Sequence, residues 1–486
     1  MNERTFTWQD QIAFADFSGD HNPWHIDPVA ARRFIFGAPV VHGIHSLLWA
    51  LDMWLRRHLS PVCLRSIKVS FLKPVMLNEP VQYVLVSDRD RHAEMTVRAG
   101  GSVSTRIDVE WTAADHPRST GFTAQFPVRH SPCVLSEREI ETGSGKLDLF
   151  FHTDTATRLF PYLTRYLPPS QVAVILNTSR LVGVECPGLH SIYSELALSA
   201  DDSNDCDGMR YEVTKFDTRF ALVVMKVTAP GLNGSIKAFV RPAPQRQAAY
   251  HSLKGLVPSD EFAGQRALIV GGSRGLGEVT AKLLCAGGAQ VKITYFQGKE
   301  DAQRIVDEIA SAGGRADCFH LDVLGLDRDP PDLSIGGWSP THLYYFATPF
   351  IFLGTKGKFS TELFNKFCGY YVTGLMRTID RFAGGGSLNI FFPSSTAVDE
   401  VPLDMGEYVA GKMAGEMLCE FLQKTLPKAT IISPRIPRVA TDQTVSFMPI
   451  KNLDPVPVII QELRFFHNRS VLAQQSWTRN DEPATR

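Results

Sequence analysis

The sequence has no run of about 18 uninterrupted apolar residues, the length a membrane-spanning helix needs, so no membrane partner is expected. It also has almost no net charge: 50 Lys and Arg stand against 51 Asp and Glu, a balance of -1. Such a chain carries no electrostatic footprint for a nucleic acid or an anionic surface. The polar opening MNERTFTWQDQ lacks the apolar core of a secretory signal, which predicts a cytoplasmic protein. The cysteines (Cys63, Cys133, Cys186, Cys206, Cys285, Cys318, Cys368 and Cys419) are scattered singly, with neither a CxxC pair nor a nearby histidine at ligand spacing. They read as reduced packing residues, and no metal site is expected. What remains is globular composition, with 44% hydrophobic and 21% charged residues, which excludes long disorder and fibrous architecture. At about 150 residues per domain, 486 residues predict roughly three domains.

Two stretches rich in Pro, Ser and charge, residues 115–135 and 241–261, break the apolar periodicity and read as connectors. An internal repeat is expected to relate the first third of the chain to the second. Gly43-Ile44-His45-Ser46 recurs as Gly188-Leu189-His190-Ser191, in each case opening an apolar, helix-like run followed by alternating strands. In the first copy Ile44, Leu47, Leu48, Leu51 and Leu55 share a helical face, and residues 66–86 then alternate as strands do. The last part of the chain differs. Short apolar runs at 267–270, 291–295, 316–321, 342–346, 387–392 and 430–433 are mostly separated by helix-length segments, the pattern of a parallel sheet covered on both faces.

The first chemical constellation is Phe17-Ser18-Gly19-Asp20-His21-Asn22-Pro23-Trp24-His25-Ile26-Asp27, followed by Phe36-Gly37-Ala38-Pro39-Val40-Val41-His42-Gly43. Moving water and a proton at one face of a substrate needs two acid–base groups side by side. Asp20 and His25, joined by the rigid Asn22-Pro23 turn, supply such a pair. The stretch resembles the MaoC-like (R)-specific enoyl-thioester hydratases over roughly residues 5–113. The resemblance implies a hot-dog fold, a sheet wrapped around one long helix, with the Gly43 N–H at the helix start as the oxyanion donor. The family often places Ser or Thr two turns into that helix, where this sequence has Leu51, with Ser46 the nearest hydroxyl. His42, His45 and His190 read as structural. The second copy has no Asp-x4-His ahead of Gly188, so it is expected to complete a pseudo-dimer and shape the acyl tunnel.

The second constellation follows the apolar run Ala267-Leu268-Ile269-Val270. There Gly271-Gly272-Ser273-Arg274-Gly275-Leu276-Gly277 opens a helix that closes at Gly287-Gly288. Strand, glycine loop and helix in that order suit a pyrophosphate, because glycines let the backbone approach and the helix start offers free N–H groups. Downstream, Tyr408 and Lys412 lie at i and i+4 on one helical face, with Ser395 shortly before them. Together these resemble the short-chain dehydrogenase/reductases over roughly residues 262–450. The resemblance implies that Tyr408 exchanges a proton with a ketone oxygen, that Ser395 orients the carbonyl, and that Lys412 lowers the Tyr408 pKa and holds the nicotinamide ribose. It also gives Gly271, Ser273, Arg274, Gly275, Leu276, Gly277, Asp322, Ala347, Tyr408 and Lys412 to the cofactor. No acid stands in Thr294-Tyr295-Phe296-Gln297, where an NAD site commonly has one, and Arg274 is available for a 2′-phosphate, so NADP(H) is expected.

Three positions depart from that family. The usual Asn-Asn-Ala-Gly reads Tyr345-Phe346-Ala347-Thr348, the relay Asn aligns to Tyr371, and the usual Pro-Gly is Pro434-Arg435, with Thr441-Asp442 after it. The departures resemble ketoreductases of polyketide-like pathways.

The expected architecture is an α+β double hot dog, with a dyad-bearing domain at 1–130 and a dyad-less one at 131–245. An α/β Rossmann-like doubly wound parallel sheet then occupies 260–486. The expected function is a bifunctional NADPH-dependent 3-ketoacyl-thioester reductase and (3R)-hydroxyacyl-thioester dehydratase acting on acyl carrier protein or CoA thioesters, as a homo-oligomer without nucleic acid or membrane. The same pair running oxidatively, or one half serving only as a thioester-binding module, are the alternatives.

Overall fold

The computed structural model describes residues 2–114, 125–201, 206–326, 338–383, 387–446 and 450–480. Residues 115–124 of the first expected connector lie outside them. The chain forms two compact units, Met1–Ala243 and Pro244–Arg486.

The first unit is built on one ten-stranded antiparallel sheet. Its strands are β1 (Glu3–Thr5), β2 (Val62–Phe71), β3 (Pro80–Arg89), β4 (His92–Ala99), β5 (Ser102–Ala113), β6 (Ser144–Leu147), β7 (Ser191–Ala200), β8 (Met209–Asp217), β9 (Leu222–Ala229) and β10 (Leu232–Val240). Their order is β1-β3-β4-β5-β2-β7-β10-β9-β8-β6, so each half runs short edge strand, long helix, four strands. The halves meet where β2 pairs with β7, Ile67 opposite Leu198 and Val69 opposite Leu196. The helix of the first half is α2 (Gly43–Leu55) and that of the second α3 (Pro169–Arg180), while α1 (Trp8–Ser18) precedes both. Alternation forms the strands: Ala93, Met95 and Val97 of β4 and Val223, Met225 and Val227 of β9 are buried, and the residues between them are more exposed. In α2 the apolar residues go all round, and Ile44, Leu47, Leu48, Leu51 and Trp54 are wholly buried, as a helix enclosed by a sheet requires. One core runs through both halves, joining Leu51 and Ile67 to Val172 and Leu198.

The expected sequence repeat does not hold. Gly43 opens α2, but Gly188 leads into the strand β7. Gly188 has φ +77°, and a Cβ there would meet the Cys133 carbonyl oxygen at 2.4 Å, so this glycine serves a turn against the backbone and starts no helix. The halves repeat in topology, through α2 and α3, and the short sequence match falls on unlike elements.

The second unit holds a parallel sheet of β11 (Arg266–Val270), β12 (Gln290–Tyr295), β13 (Ala316–His320), β14 (His342–Tyr345), β15 (Asn389–Phe391) and β16 (Ile431–Ile432), in the order β13-β12-β11-β14-β15-β16. Ala267 and Ile269 of β11 pack into one core and Leu268 and Val270 into another, so both faces are covered. α4 (Gly275–Ala286), α5 (Lys299–Ser311) and α7 (Pro455–Asn480) pack on the first face, and α6 (Gly406–Thr425) on the second. The order reverses between β11 and β14, which opens a crevice at their carboxyl ends. Part of the second expected connector belongs to this core: Tyr250–Leu253 is helical, and Tyr250 and Leu253 are buried in it.

Candidate active sites

In the first unit the loop after α1 carries the chemistry. Gly19, at φ +74°, caps α1 by donating its N–H to the Ala15 carbonyl and turns the chain inward. Asp20 and Asn22 are buried as a result. Asn22 accepts from the Trp24 N–H (3.1 Å), capping the short helix Pro23–Ile26 that carries His25, and its amide donates to the Gly183 carbonyl (2.9 Å).

His25 Nδ1 donates to the Val40 carbonyl (2.7 Å), which leaves Nε2 bare as a proton acceptor. A ring nitrogen of His25, one of His42 and a carboxylate oxygen of Asp20 lie within 4.8 Å of one another. That is close enough for Asp20 and His25 to reach one water or one substrate carbon.

His42 was expected to be structural, yet it belongs to this site. Its ring stacks on that of His25 at 3.8 Å, and its Nε2 donates to the Asp20 carbonyl (2.9 Å). A carbonyl can only accept, so this nitrogen carries the hydrogen and is not free to bind a metal. His45 fits the structural reading, stacked on Phe14 with Phe6 and Phe160 at its edges. Gly43 begins α2 with no side-chain cap, which leaves the first N–H groups free for an oxyanion, and a Cβ there would meet the Phe71 ring at 3.0 Å.

The second half contributes what the sequence did not reveal. Ser179 of α3 donates its hydroxyl to Asp20 Oδ2 at 2.7 Å. Leu51 is wholly buried in the core, and Ser46 donates to its own helix at the Gly43 carbonyl. The hydroxyl on the acid therefore comes from the half without a dyad. Gly183 makes room, since a Cβ there would lie 2.2 Å from Asp20 Oδ1. Burial pushes the Asp20 carboxyl up, with His25 and Ser179 pulling it back. Burial pushes His25 down, opposed by Asp20 and the Val40 carbonyl, and Arg241 adds to the fall.

In the second unit the glycine loop lies at the crevice. Gly271 (φ +80°) donates to Thr294 Oγ1 (3.1 Å), and Gly272 donates to the Thr294 carbonyl (3.0 Å). A Cβ on Gly271 would meet the Phe346 and Ala347 backbone at 3.0 Å, and one on Gly277 the Gly271 carbonyl oxygen at 2.4 Å. Ser273 is buried, Leu276 packs against the core, and Arg274 precedes α4 with no side-chain cap on the helix. A loop that only glycine permits, at an uncapped helix start, suits a pyrophosphate, so these residues fit a dinucleotide. Asp322 follows β13 and accepts from the Leu324 N–H (2.9 Å). Arg274 Nη1 lies 3.8 Å from Asp442 Oδ2, an acid the reading of Arg274 as a phosphate ligand did not include.

Ser395 pairs in parallel with Ile436, and its hydroxyl acts on the Tyr408 phenol on α6, lowering its pKa. One turn on, Lys412 Nζ donates to the Pro393 carbonyl (2.7 Å) and sits over the rings of Tyr371 (4.1 Å) and Phe392 (4.7 Å). The Tyr371 hydroxyl pairs with Thr348 Oγ1 (2.6 Å). Lys412 Nζ also lies over the Tyr408 ring, 6.0 Å from its centroid. Burial pushes Tyr408 up to about 12, and the group pulling it back is Ser395. Lys412, enclosed by rings, is itself pushed down to about 7.

Residues 1–106 match the MaoC like domain, and residues 265–328 match the short chain dehydrogenase family. Hydroxynaphthalene reductase-like protein Arp2 of Metarhizium guizhouense is 41% identical over 62 residues, 13% of this chain and 23% of that protein. The uncharacterized oxidoreductase YgfF of Escherichia coli K12 is 42% identical over 57 residues, 12% of this chain and 23% of that protein. The chain thus spans about a quarter of the length of these relatives. A short chain dehydrogenase from Burkholderia cenocepacia, solved in complex with NADP, is 25% identical, with 42% of this chain and 91% of that one covered at a TM-score of 0.37. Among the described residues no helix is long and apolar enough to cross a membrane. The chain joins a MaoC-like domain at its N-terminus to a short-chain dehydrogenase domain in its second unit.

Proposed function

We propose that the chain is a bifunctional enzyme of acyl thioesters. The first unit, a double hot dog with one active half, interconverts (3R)-hydroxyacyl and trans-2-enoyl thioesters carried on CoA or an acyl carrier protein. The second reduces 3-ketoacyl thioesters to the same (3R) alcohol with NADPH. The observation that carries the reading is the buried Asp20 and His25 pair, each moved by burial toward its neutral form beside an uncapped helix start. His25 Nε2 and the Asp20 carboxyl share the two proton movements of hydration, one at the substrate oxygen and one at Cα, while the Gly43 N–H receives the thioester oxyanion.

In the second unit Tyr408 gives its hydroxyl proton to the ketone oxygen, Ser395 orients the carbonyl, and the Lys412 ammonium stabilises the charge that develops on the Tyr408 oxygen. NADP(H), when bound, supplies the hydride. The glycine loop holds its pyrophosphate, with Arg274 toward the 2′-phosphate, because the end of β12 offers Thr294 and no acid.

The test is to assay the purified chain on 2-enoyl and 3-ketoacyl thioesters, each with NADPH and with NADH, and to resolve the alcohol on a chiral column. Hydration of the enoyl thioester and NADPH-dependent formation of the (3R) alcohol are expected. A (3S) alcohol would separate the two activities, and hydration without any reduction would leave the second unit a binding module.

A further inference from the structure

Arg241, just past β10, is 2% exposed and lies within the first unit. Its guanidinium sits 3.6 Å over the Phe34 ring and 4.8 Å over the Trp24 ring, and the Trp24 ring in turn stacks on that of His25 at 6.3 Å. One nitrogen, Nη2, donates to the Leu189 carbonyl (2.6 Å). Nε and Nη1 have no partner among the described residues, and neither has Trp24 Nε1 beneath them. Three buried donors without a partner thus stand on two side chains in contact, Arg241 and Trp24. Burial pushes the guanidinium down to about 9, and no carboxylate offsets that fall. A buried cation without a counter-charge is expensive, and buried charges in folded proteins are paired or ligand-bound. The neighbouring acid, Asp20, is committed to Ser179 and the Asn22 N–H. His190, whose carbonyl accepts the Arg241 N–H (2.7 Å), is held below its ordinary value by burial and by the same positive charge.

What the geometry asks for is an acceptor with negative charge, one aromatic ring away from the hydration dyad. We propose that Arg241 binds a carboxylate on the acyl chain of the substrate, so that the first unit prefers thioesters of dicarboxylic acids. This rests on the hydratase reading of Asp20 and His25. The phosphates of CoA or of a carrier arm have the same chemistry, but they lie a whole pantetheine arm from the thioester, whereas Arg241 is close enough for its charge to act on His25. Phe34 and Trp24 hold the guanidinium plane, so little side-chain entropy is lost on binding.

The full chain would be assayed for hydration on pairs of 2-enoyl-CoA thioesters matched in chain length, one ending in methyl and one in carboxylate, from six to ten carbons. A preference for the carboxylate member of about 10- to 100-fold in kcat/KM is expected, the strength of a charge-assisted hydrogen bond away from water. In Arg241→Met that ratio falls to near one, and Arg241→Lys, which keeps the charge, retains part of it. If Arg241→Met does not fold, the Lys variant and a wild-type thermal titration with adipate replace it. Equal or better turnover of the methyl members overturns the carboxylate site and leaves the hydratase reading standing. If neither member is hydrated, the hydratase reading fails. The anion site is then judged by adipate alone: a rise in melting temperature that Arg241→Lys diminishes supports it, and no rise overturns it.

Discussion

In the first unit burial raises the Asp20 carboxyl and lowers the His25 imidazole, while in the second it raises Tyr408 to about 12 and lowers Lys412 to about 7. The physical cause is the same, since low dielectric favours the neutral form of every group. The consequence is opposite because the ordinary values stand in different order. A carboxyl starts below an imidazole, so burial moves the two toward each other. A phenol and an ammonium start nearly level, so burial drives them apart. Desolvation thus draws the values of one pair together and drives those of the other apart.

The sharpest way to break this comparison is to remove one site at a time. Asp20→Asn is expected to lower hydration by about a thousandfold, within the range of general acid–base catalysis, and to leave ketone reduction near wild type. Tyr408→Phe should do the reverse. Parallel initial rates on enoyl and ketoacyl thioesters check both, and equal loss of both activities in either folded variant would mean that the sites are not separate. Next in size is the cofactor. Arg274→Ala should weaken NADPH binding by about 10- to 100-fold and barely change NADH in fluorescence titrations. Equal weakening of both would mean that Arg274 serves Asp442, 3.8 Å away, rather than a 2′-phosphate.

Lys412 offers a stability test of the same electrostatics. Its folded pKa of about 7 lies below its ordinary 10.5, so between those values the unfolded chain binds a proton that the folded one does not. Wild-type stability therefore rises with pH across that window, and the cost of burying the lysine is greatest below pH 7. At about 1.4 kcal/mol per pKa unit, less about 1–2 kcal/mol for the lost bond to the Pro393 carbonyl, Lys412→Met should stabilise the second unit by roughly 3 to 4 kcal/mol at pH 6. The gain should shrink toward pH 10 while reduction is lost. Urea midpoints at several pH values measure it, and a destabilised variant at pH 6 would mean that the ammonium is well solvated in its ring box.

What was legible in the sequence is what lies on one loop or one helix. Asp20 and His25 share a turn fixed by Asn22-Pro23, and Tyr408 and Lys412 share a helical face, so spacing alone brings each pair together. The parallel sheet was legible because its buried strands are short apolar runs between helices. Ser179 was not, because it stands 159 residues from Asp20 and reaches it only through the pairing of β2 with β7, which no local pattern encodes. The repeat was misplaced for the same reason. α2 is apolar all round, whereas α3 buries Gln171, Asn177, Thr178 and Ser179, so equivalent helices do not look alike. The fall of Lys412 was hidden because Tyr371 and Phe392, which desolvate it, come from other elements.

Ser179 gives the smallest expected effect and the one most specific to the comparison, because it alone opposes burial at the acid from the half that has no dyad. Its hydroxyl donates to Asp20 Oδ2 and so favours the ionised carboxylate. Without it the Asp20 pKa moves further up, and activity that needs the carboxylate falls away at a higher pH than in wild type. Ser179→Ala should therefore lower kcat/KM for hydration roughly three- to tenfold near neutral pH, the worth of about one hydrogen bond, and displace the acid limb of the pH profile upward. Ser179→Thr, which keeps the donor, should restore the limb even if packing against Gly183 lowers the rate. The reductase profile of the same variants is the internal control. An acid limb unmoved in Ser179→Ala would mean that the hydroxyl only packs, and that the second half shapes the site without tuning its acid.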